Sequence, residues 1–402
     1  MLDLKKIDSN ICKFNIALFL RSILMLTPIL LLFYQHNGLT VQELFFFQGI
    51  FYLTSILSEI PVGYISDMIS RKHLLLISFG LFMFITVFWL FTTGYYVVLV
   101  GEIIFAISKV MMDNAMPAYL YDYLQENNRK EHMAKYYGYL NFYLALGTTV
   151  AAILGTIVYS KYGFDHILML EFIFISISIS LTLSLPRIKT SNNSIKISNE
   201  KIYTYLDETK KIYSNPSIRY HILYSGILTA FSIFFVLCFQ PIMQNALFPI
   251  FMFGIVACTN HGIRALAGIT AGKLFRNFDI RKLIKPLYYL YIIGFFCLYA
   301  ATCIKNIILI STLIVILCLI IGIQLIFTIL HVSRLQKFVH LENRGNLMSI
   351  NNLVSRSAAA IILLTSKFFI AHIEIQIYFI AMFLVYLILG TIIASKTYDI
   401  KD

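Results

Sequence analysis

The sequence predicts an all-α membrane protein of twelve transmembrane helices in two six-helix halves. Three observations carry that prediction. Of 402 residues, 59% are hydrophobic and 13% charged, with a mean hydropathy of +0.79, which is too little charge for a soluble chain of this size. The apolar residues fall in runs of about twenty, the length needed to cross the hydrocarbon core of a bilayer. Nearly all of the 32 Lys and Arg lie in alternate connections between those runs, the distribution that sets orientation in a membrane.

The first run, 11–34, follows a polar, basic start and is too long for the apolar part of a cleavable signal, so it is read as a retained first span. Spans 2 to 6 cover 41–66, 73–92, 95–123, 135–159 and 164–185. Spans 7 to 12 cover 219–243, 246–273, 281–303, 306–333, 345–367 and 374–395. The polar stretch between spans 6 and 7 contains Ser191, Asn192, Asn193 and Ser194. It divides the chain into an N-terminal half (1–185), a cytoplasmic linker (186–218) and a C-terminal half (219–402). Within the linker, 201–213 has the spacing of an amphipathic helix lying on a membrane surface. Two halves of six spans are the outline of a parallel-repeat transporter.

The connections holding Arg71 and Lys72, Arg129 and Lys130, 187–219, 273–285 and 334–344 all fall on one side. The other side has only Lys161, Lys305 and Lys367. Both termini are basic too, so both are placed in the cytoplasm. The net charge of +12 is therefore accounted for by orientation and not by a nucleic-acid partner. Cys12, Cys238, Cys258, Cys297, Cys303 and Cys318 are scattered without a C-x-x-C pair, which points to packing and away from metal or redox chemistry. Abundant Phe, Ile, Tyr, Asn and Lys beside 8 Pro and 19 Gly point to an AT-rich bacterial gene, hence to a bacterial inner membrane.

The turn between spans 2 and 3 carries Gly63, Asp67, Arg71 and Lys72, preceded by Ser58, Glu59, Ile60 and Pro61. Asp67 suits the free N–H groups at the start of span 11, near 344–346. Arg71 can reach Asp122 at the end of span 4. A weaker echo, Gly268 to Lys273 followed by Arg281 and Lys282, ends span 8 without an acid.

With the turn G-x-x-x-D-x-x-x-R-K and twelve spans about a central loop, the whole chain resembles the major facilitator superfamily. The resemblance implies alternating access, with Gly63, Asp67, Arg71, Lys72 and Asp122 forming a cytoplasmic latch between the halves. It also implies that spans 1 and 4 line a central cavity and that spans 2 and 11 meet between the halves. The chain departs from the proton–drug antiporters of that family. Glu102 stands about where those members often carry Arg, and span 5 has Gly147 and Gly155 without the expected Pro. Short bacterial members that read E-I-P-x-G before the turn include drug, siderophore and peptide-antibiotic exporters. The resemblance therefore favours export over import of a polar or anionic solute.

Ionisable groups inside apolar helices are costly and mark function by default. Arg21 lies eight residues past Lys13, about 12 Å into span 1. Asp113 lies nine residues before Asp122, roughly 13 Å from the same face. An Arg21–Asp113 contact follows, with Lys109 one turn away on the same helix. A carboxylate between two cations exchanges a proton when one cation moves, so Asp113 is the first candidate for proton coupling. A static salt bridge fixing helix packing is the competing reading. Glu59 and Arg356 form a second candidate pair, gating or structural, between the halves.

Asn260, His261 and Arg264 in span 8, with Asn351, Asn352, Ser355 and Arg356 in span 11, make a polar stripe. Gln240, Gln324 and His331 add hydrogen-bonding groups. So many polar groups point to a polar or anionic substrate portion, although an interior histidine is also often structural. The many Phe and Tyr residues are read as lipid-facing, and none is assigned a ligand. Pro28, Pro61, Pro117 and Pro241 permit bends.

The expected partners are a small-molecule substrate, protons and membrane lipid, with the chain acting as a monomer. No cofactor or metal is expected. Gly268 to Lys273 is one residue too short for a phosphate-binding loop. No H-x-x-x-H, serine–histidine or cysteine-pair arrangement supports a membrane enzyme, and a sensor without transport is the third class.

Overall fold

A bilayer offers no water to backbone N–H and C=O groups, so a segment that crosses it must satisfy them internally. The computed structural model meets that demand with helices. It describes residues 8–188, 213–274, 281–335, 344–372 and 375–398, and all regular structure among them is helical. In order these are α1 (Ser9–Arg21), α2 (Leu30–His36), α3 (Val41–Met68), α4 (Arg71–Phe91), α5 (Tyr95–Glu126), α6 (Met133–Tyr162) and α7 (Phe164–Leu183). Then come α8 (Pro216–Asn245), α9 (Ile250–Leu274), α10 (Arg281–Cys303), α11 (Ile307–Leu335), α12 (Arg344–His372) and α13 (Ile375–Tyr398).

Eleven of these helices are long and apolar enough to cross a membrane uninterrupted. The first span is the exception and corrects the expectation of one helix over 11–34. It stops at Arg21, passes through Ser22–Leu26, makes a 3₁₀ turn at Thr27–Ile29 and resumes at Leu30. Pro28 sits in this break and can donate no backbone hydrogen bond. Counting α1 and α2 as one broken crossing gives the twelve spans. Pro61, Pro117, Pro241 and Pro286, by contrast, lie inside continuous helices. Most of the predicted surface helix 201–213 and the linker over 189–212 lie outside the described residues.

The chain forms two compact units. The first comprises residues 1–40, 53–195 and 253–258; the second comprises 41–52, 196–252 and 259–402. In the first unit, α4 packs on α5 and α7, and α1 packs on α6 and α7. Phe14, Leu18, Leu75, Phe79, Val110 and Tyr119 are core residues there. Polar ties fasten the ends. Asp8 caps α1 by accepting from Asn10 N at 3.1 Å, accepts from the Tyr123 hydroxyl at 2.9 Å and pairs with Arg129 at 3.3 Å. Lys72 donates to the carbonyls of Leu183 (2.7 Å) and Leu185 (2.6 Å), a cation at the C-terminus of α7 where the helix dipole favours one.

Two glycines let α6 reach the break in the first span. A side-chain carbon added to Gly147 would lie 2.0 Å from Ser22 Oγ and 2.5 Å from the Phe19 carbonyl oxygen. One added to Gly155 would lie 2.2 Å from the Met25 carbonyl oxygen. Backbone is in contact at both points, so neither clash can be relieved by turning a side chain.

In the second unit, α8 packs on α11, α12 and α13, while α10 packs on α11 and α13. Its centre is aromatic, with Phe231, Phe235, Tyr291, Phe295 and Tyr386 in mutual ring contact.

Gly155→Val should lower the melting temperature of the purified protein, because overpacking against backbone costs about 1–3 kcal/mol. Unchanged melting would contradict the close approach of α6 to Met25.

Candidate substrate and coupling sites

Arg21 ends α1, about 18 Å along the helix from Ser9, and is 2% exposed. Its guanidinium lies 3.8 Å from the Phe82 ring centroid and donates to Ser108 Oγ at 3.4 Å. A cation over an aromatic face in a desolvated site gains about 2 kcal/mol, part of the compensation that its burial needs. Its electrostatic partners are Glu171 first and Asp113 second. Glu171 on α7 is 3% exposed. Its Oε1 accepts backbone N–H bonds from Met25 at 2.5 Å and Leu26 at 3.2 Å. The expected Arg21–Asp113 pairing is thus the weaker of two interactions, and the acid that dominates the Arg21 environment is one that sequence reading passed over.

Asp113 forms an ion pair with Lys109, one turn earlier on α5. Their side chains are 33% and 39% exposed, so this pair faces an accessible surface while Arg21 is shut inside. Glu102, also buried, accepts from the Tyr34 hydroxyl at 2.6 Å and ties α5 to α2.

In the hairpin, Gly63 continues α3 and its carbonyl accepts from Ser66 Oγ at 2.8 Å. Arg71 donates to the Ser66 carbonyl and acts electrostatically on Asp122. Lys72 donates to carbonyls at the end of α7. The side chains of Asp67 and residues 344–346 lie outside the described residues, as do 336–343. Glu59 belongs to the first unit and Arg356 to the second.

The second unit gathers much of the polar stripe around a residue not foreseen as a ligand. Tyr52 of α3 lies within electrostatic reach of both Arg264 and Arg356. Asn260 and His261 sit one turn before Arg264 on α9, and Asn352 sits one turn before Arg356 on α12. Arg264 is exposed, has Tyr52 and Tyr291 as its electrostatic partners, and forms no ion pair among the described residues. It is two residues beyond the middle of a membrane helix, where a cation costs about 3 kcal/mol. Asn260 and Asn351 are 4% and 6% exposed, and the Oδ1 of each finds no hydrogen-bond partner among the described residues. A buried unsatisfied acceptor costs about 1–3 kcal/mol.

The remaining residues of the stripe are placed differently. Gln324 is 5% exposed and saturated. It donates to Thr229 and Thr328 at 3.1 and 2.8 Å and accepts from Ser232 at 3.2 Å, while Ser232 also bonds the Tyr291 hydroxyl. That network joins α8, α10 and α11 internally. His331 is 1% exposed, stacked on Phe327 and 4.9 Å from the His221 ring. Ser355 donates to the Asn351 carbonyl, and Gln240 is half-buried on α8.

Glu171 and Tyr52 are the functional candidates that sequence reading missed. Glu171 had a signal, an acid seven residues into an apolar run. Tyr52 had none, being one tyrosine among 26.

These features define a polytopic membrane protein with charged groups held inside its helices. The chain belongs to the Major Facilitator Superfamily, whose family model matches residues 14–363. No curated protein matches its sequence. Among solved structures, it is similar to a mutant form of the nucleoside transporter NupG, with 14% identity, a TM-score of 0.77 and coverage of 96% of this chain and 99% of that one. It is also similar to NupG without that mutation, at 12% identity, a TM-score of 0.73 and coverage of 98% and 100%. A third similar structure is a bacterial homologue of the human lysosomal transporter Spinster, at 12% identity, a TM-score of 0.68 and coverage of 97% and 95%. At such identities the likeness establishes the fold. The protein is an integral membrane transporter of that superfamily.

Proposed function

We infer that the protein exports a small organic solute with an anionic or polar portion, by proton-coupled alternating access, as a monomer in a bacterial inner membrane. The observation that carries the substrate class is Arg264, a mid-membrane guanidinium with no carboxylate partner among the described residues. Insertion of such a group is costly, and a solute carboxylate or phosphate offsets that cost through charge-assisted hydrogen bonds. The acceptors left over on Asn260 and Asn351 suit hydroxyl or amine donors on the same solute. Tyr52, His261, Asn352 and Arg356 complete the proposed binding set.

Export, against import of the same kind of solute, rests on the family resemblance of the E-I-P-x-G stretch and its turn. The proposed coupling acid is Asp113, which pairs with Lys109 and feels Arg21. Movement of either cation changes the charge that faces its carboxylate. Gly63, Asp67, Arg71, Lys72 and Asp122 form the proposed latch, and Glu59 with Arg356 the proposed gating pair. Both termini are assigned to the cytoplasm on the distribution of Lys and Arg.

Thermal stabilisation of the purified protein by citrate, uridine and tetraphenylphosphonium separates the substrate classes. Citrate should raise the melting temperature of the wild type and leave Arg264→Ala unchanged. Stabilisation by tetraphenylphosphonium alone would refute an anionic substrate, and uridine alone would favour a neutral nucleoside-like one. For coupling, Asp113→Asn should abolish transport driven by a proton gradient in inside-out vesicles while the melting temperature holds. Gradient-driven transport at the wild-type rate would remove Asp113 from the role.

A further inference from the structure

The first span breaks at a place where its own sequence would continue. Leu24, Met25 and Leu26 are good or adequate helix formers. Pro28 removes one bond, from its own nitrogen to the carbonyl of Leu24, and crowds that same carbonyl. In an unbroken helix the N–H groups of Met25 and Leu26 would bond the carbonyls of Arg21 and Ser22, which Pro28 does not touch. Instead both donate to one oxygen of Glu171, from another helix. The backbone on the other side is held by α6, through the close approach at Gly147 and Gly155.

A simpler account would have Glu171 neutralise Arg21. The two interact electrostatically, yet they form no ion pair among the described residues. The guanidinium is bonded to Ser108 and stacked on Phe82, while the bonds made by the Glu171 carboxylate go to backbone. The other charged groups near this region are Asp113 with Lys109 on α5 and Glu102 with Tyr34. On α6 the lysines are Lys135 and Lys161, near its two ends.

We propose that Glu171 is a positioning residue for transport. By accepting the Met25 and Leu26 N–H groups it keeps the first span broken and makes Ser22–Leu26 a hinge. The hinge lets α1, which carries Arg21, turn independently of α2. Discontinuous membrane helices recur in transporters that work by alternating access. The proposal rests on the transport reading above and adds the residue that maintains the moving element.

The test uses substrate-free, full-length protein in lipid nanodiscs, with native cysteines replaced by alanine and dyes on cysteines at the exposed positions 93 and 305. Single-molecule energy transfer reports exchange between conformations. Glu171→Gln keeps an acceptor of the same reach and loses the charge, whereas Glu171→Asp keeps the charge and loses the reach. The hinge predicts exchange near the wild-type rate in Glu171→Gln. It predicts exchange slowed about tenfold in Glu171→Asp, the size of effect expected when a buried bond is lost. Slowing of the Gln variant, whether alone or as much as the Asp variant, overturns the proposal, as does wild-type exchange in both. A wild type fixed in one state counts against transport itself, whereas an exchanging wild type matched by both variants counts against the hinge alone.

Discussion

The absence of water in the bilayer core is the constraint on which this structure depends. A polar group at membrane depth is costly unless it is satisfied within the protein or by a bound partner. Where the first span stops, Glu171 supplies the acceptor for two N–H groups that a continuous helix would satisfy itself. Gly147 and Gly155 follow from the same demand. Irregular backbone at this depth must be covered by protein, and only glycine lets α6 come close enough to cover it.

That constraint also sorts the polar side chains. Gln324, Ser232, Thr229 and Thr328 bond one another and stabilise the interior of the second unit. Lys72 and Asp8 close helix ends. Beside Arg21 Nε and the hydroxyls of Ser225 and Ser311, what remains among the described residues includes Arg264 without an anion and the oxygens of Asn260 and Asn351 without donors. These leftovers carry the functional reading, because a helix bundle built only for stability would have paired them or replaced them with apolar residues.

Much of the fold was legible in the sequence because apolar length and the placement of Lys and Arg are direct consequences of the bilayer. The turn from Gly63 to Lys72 carried the family. The interruption at Ser22–Leu26 was not legible, since its cause lies about 146 residues away at Glu171 and Leu24, Met25 and Leu26 themselves favour helix. Arg21 was recognisable as a buried charge, but its dominant partner was not. Helical spacing predicts neighbours on one helix and cannot rank acids on two others. Gln324 and Arg264 looked alike as polar residues in apolar runs. Only packing separates a side chain with all its bonds made from one whose charge is unmatched, and only packing brings Tyr52 to Arg264 and Arg356.

The central claim is that a solute anion completes the Arg264 site. Its most direct test is uptake of a mixed bacterial metabolite extract by proteoliposomes under a proton gradient, read by mass spectrometry for the wild type and Arg264→Ala. The account predicts that the species moved by the wild type and not by the variant carry a carboxylate or phosphate. Movement confined to neutral or cationic species, or equal movement by both proteins, would contradict it.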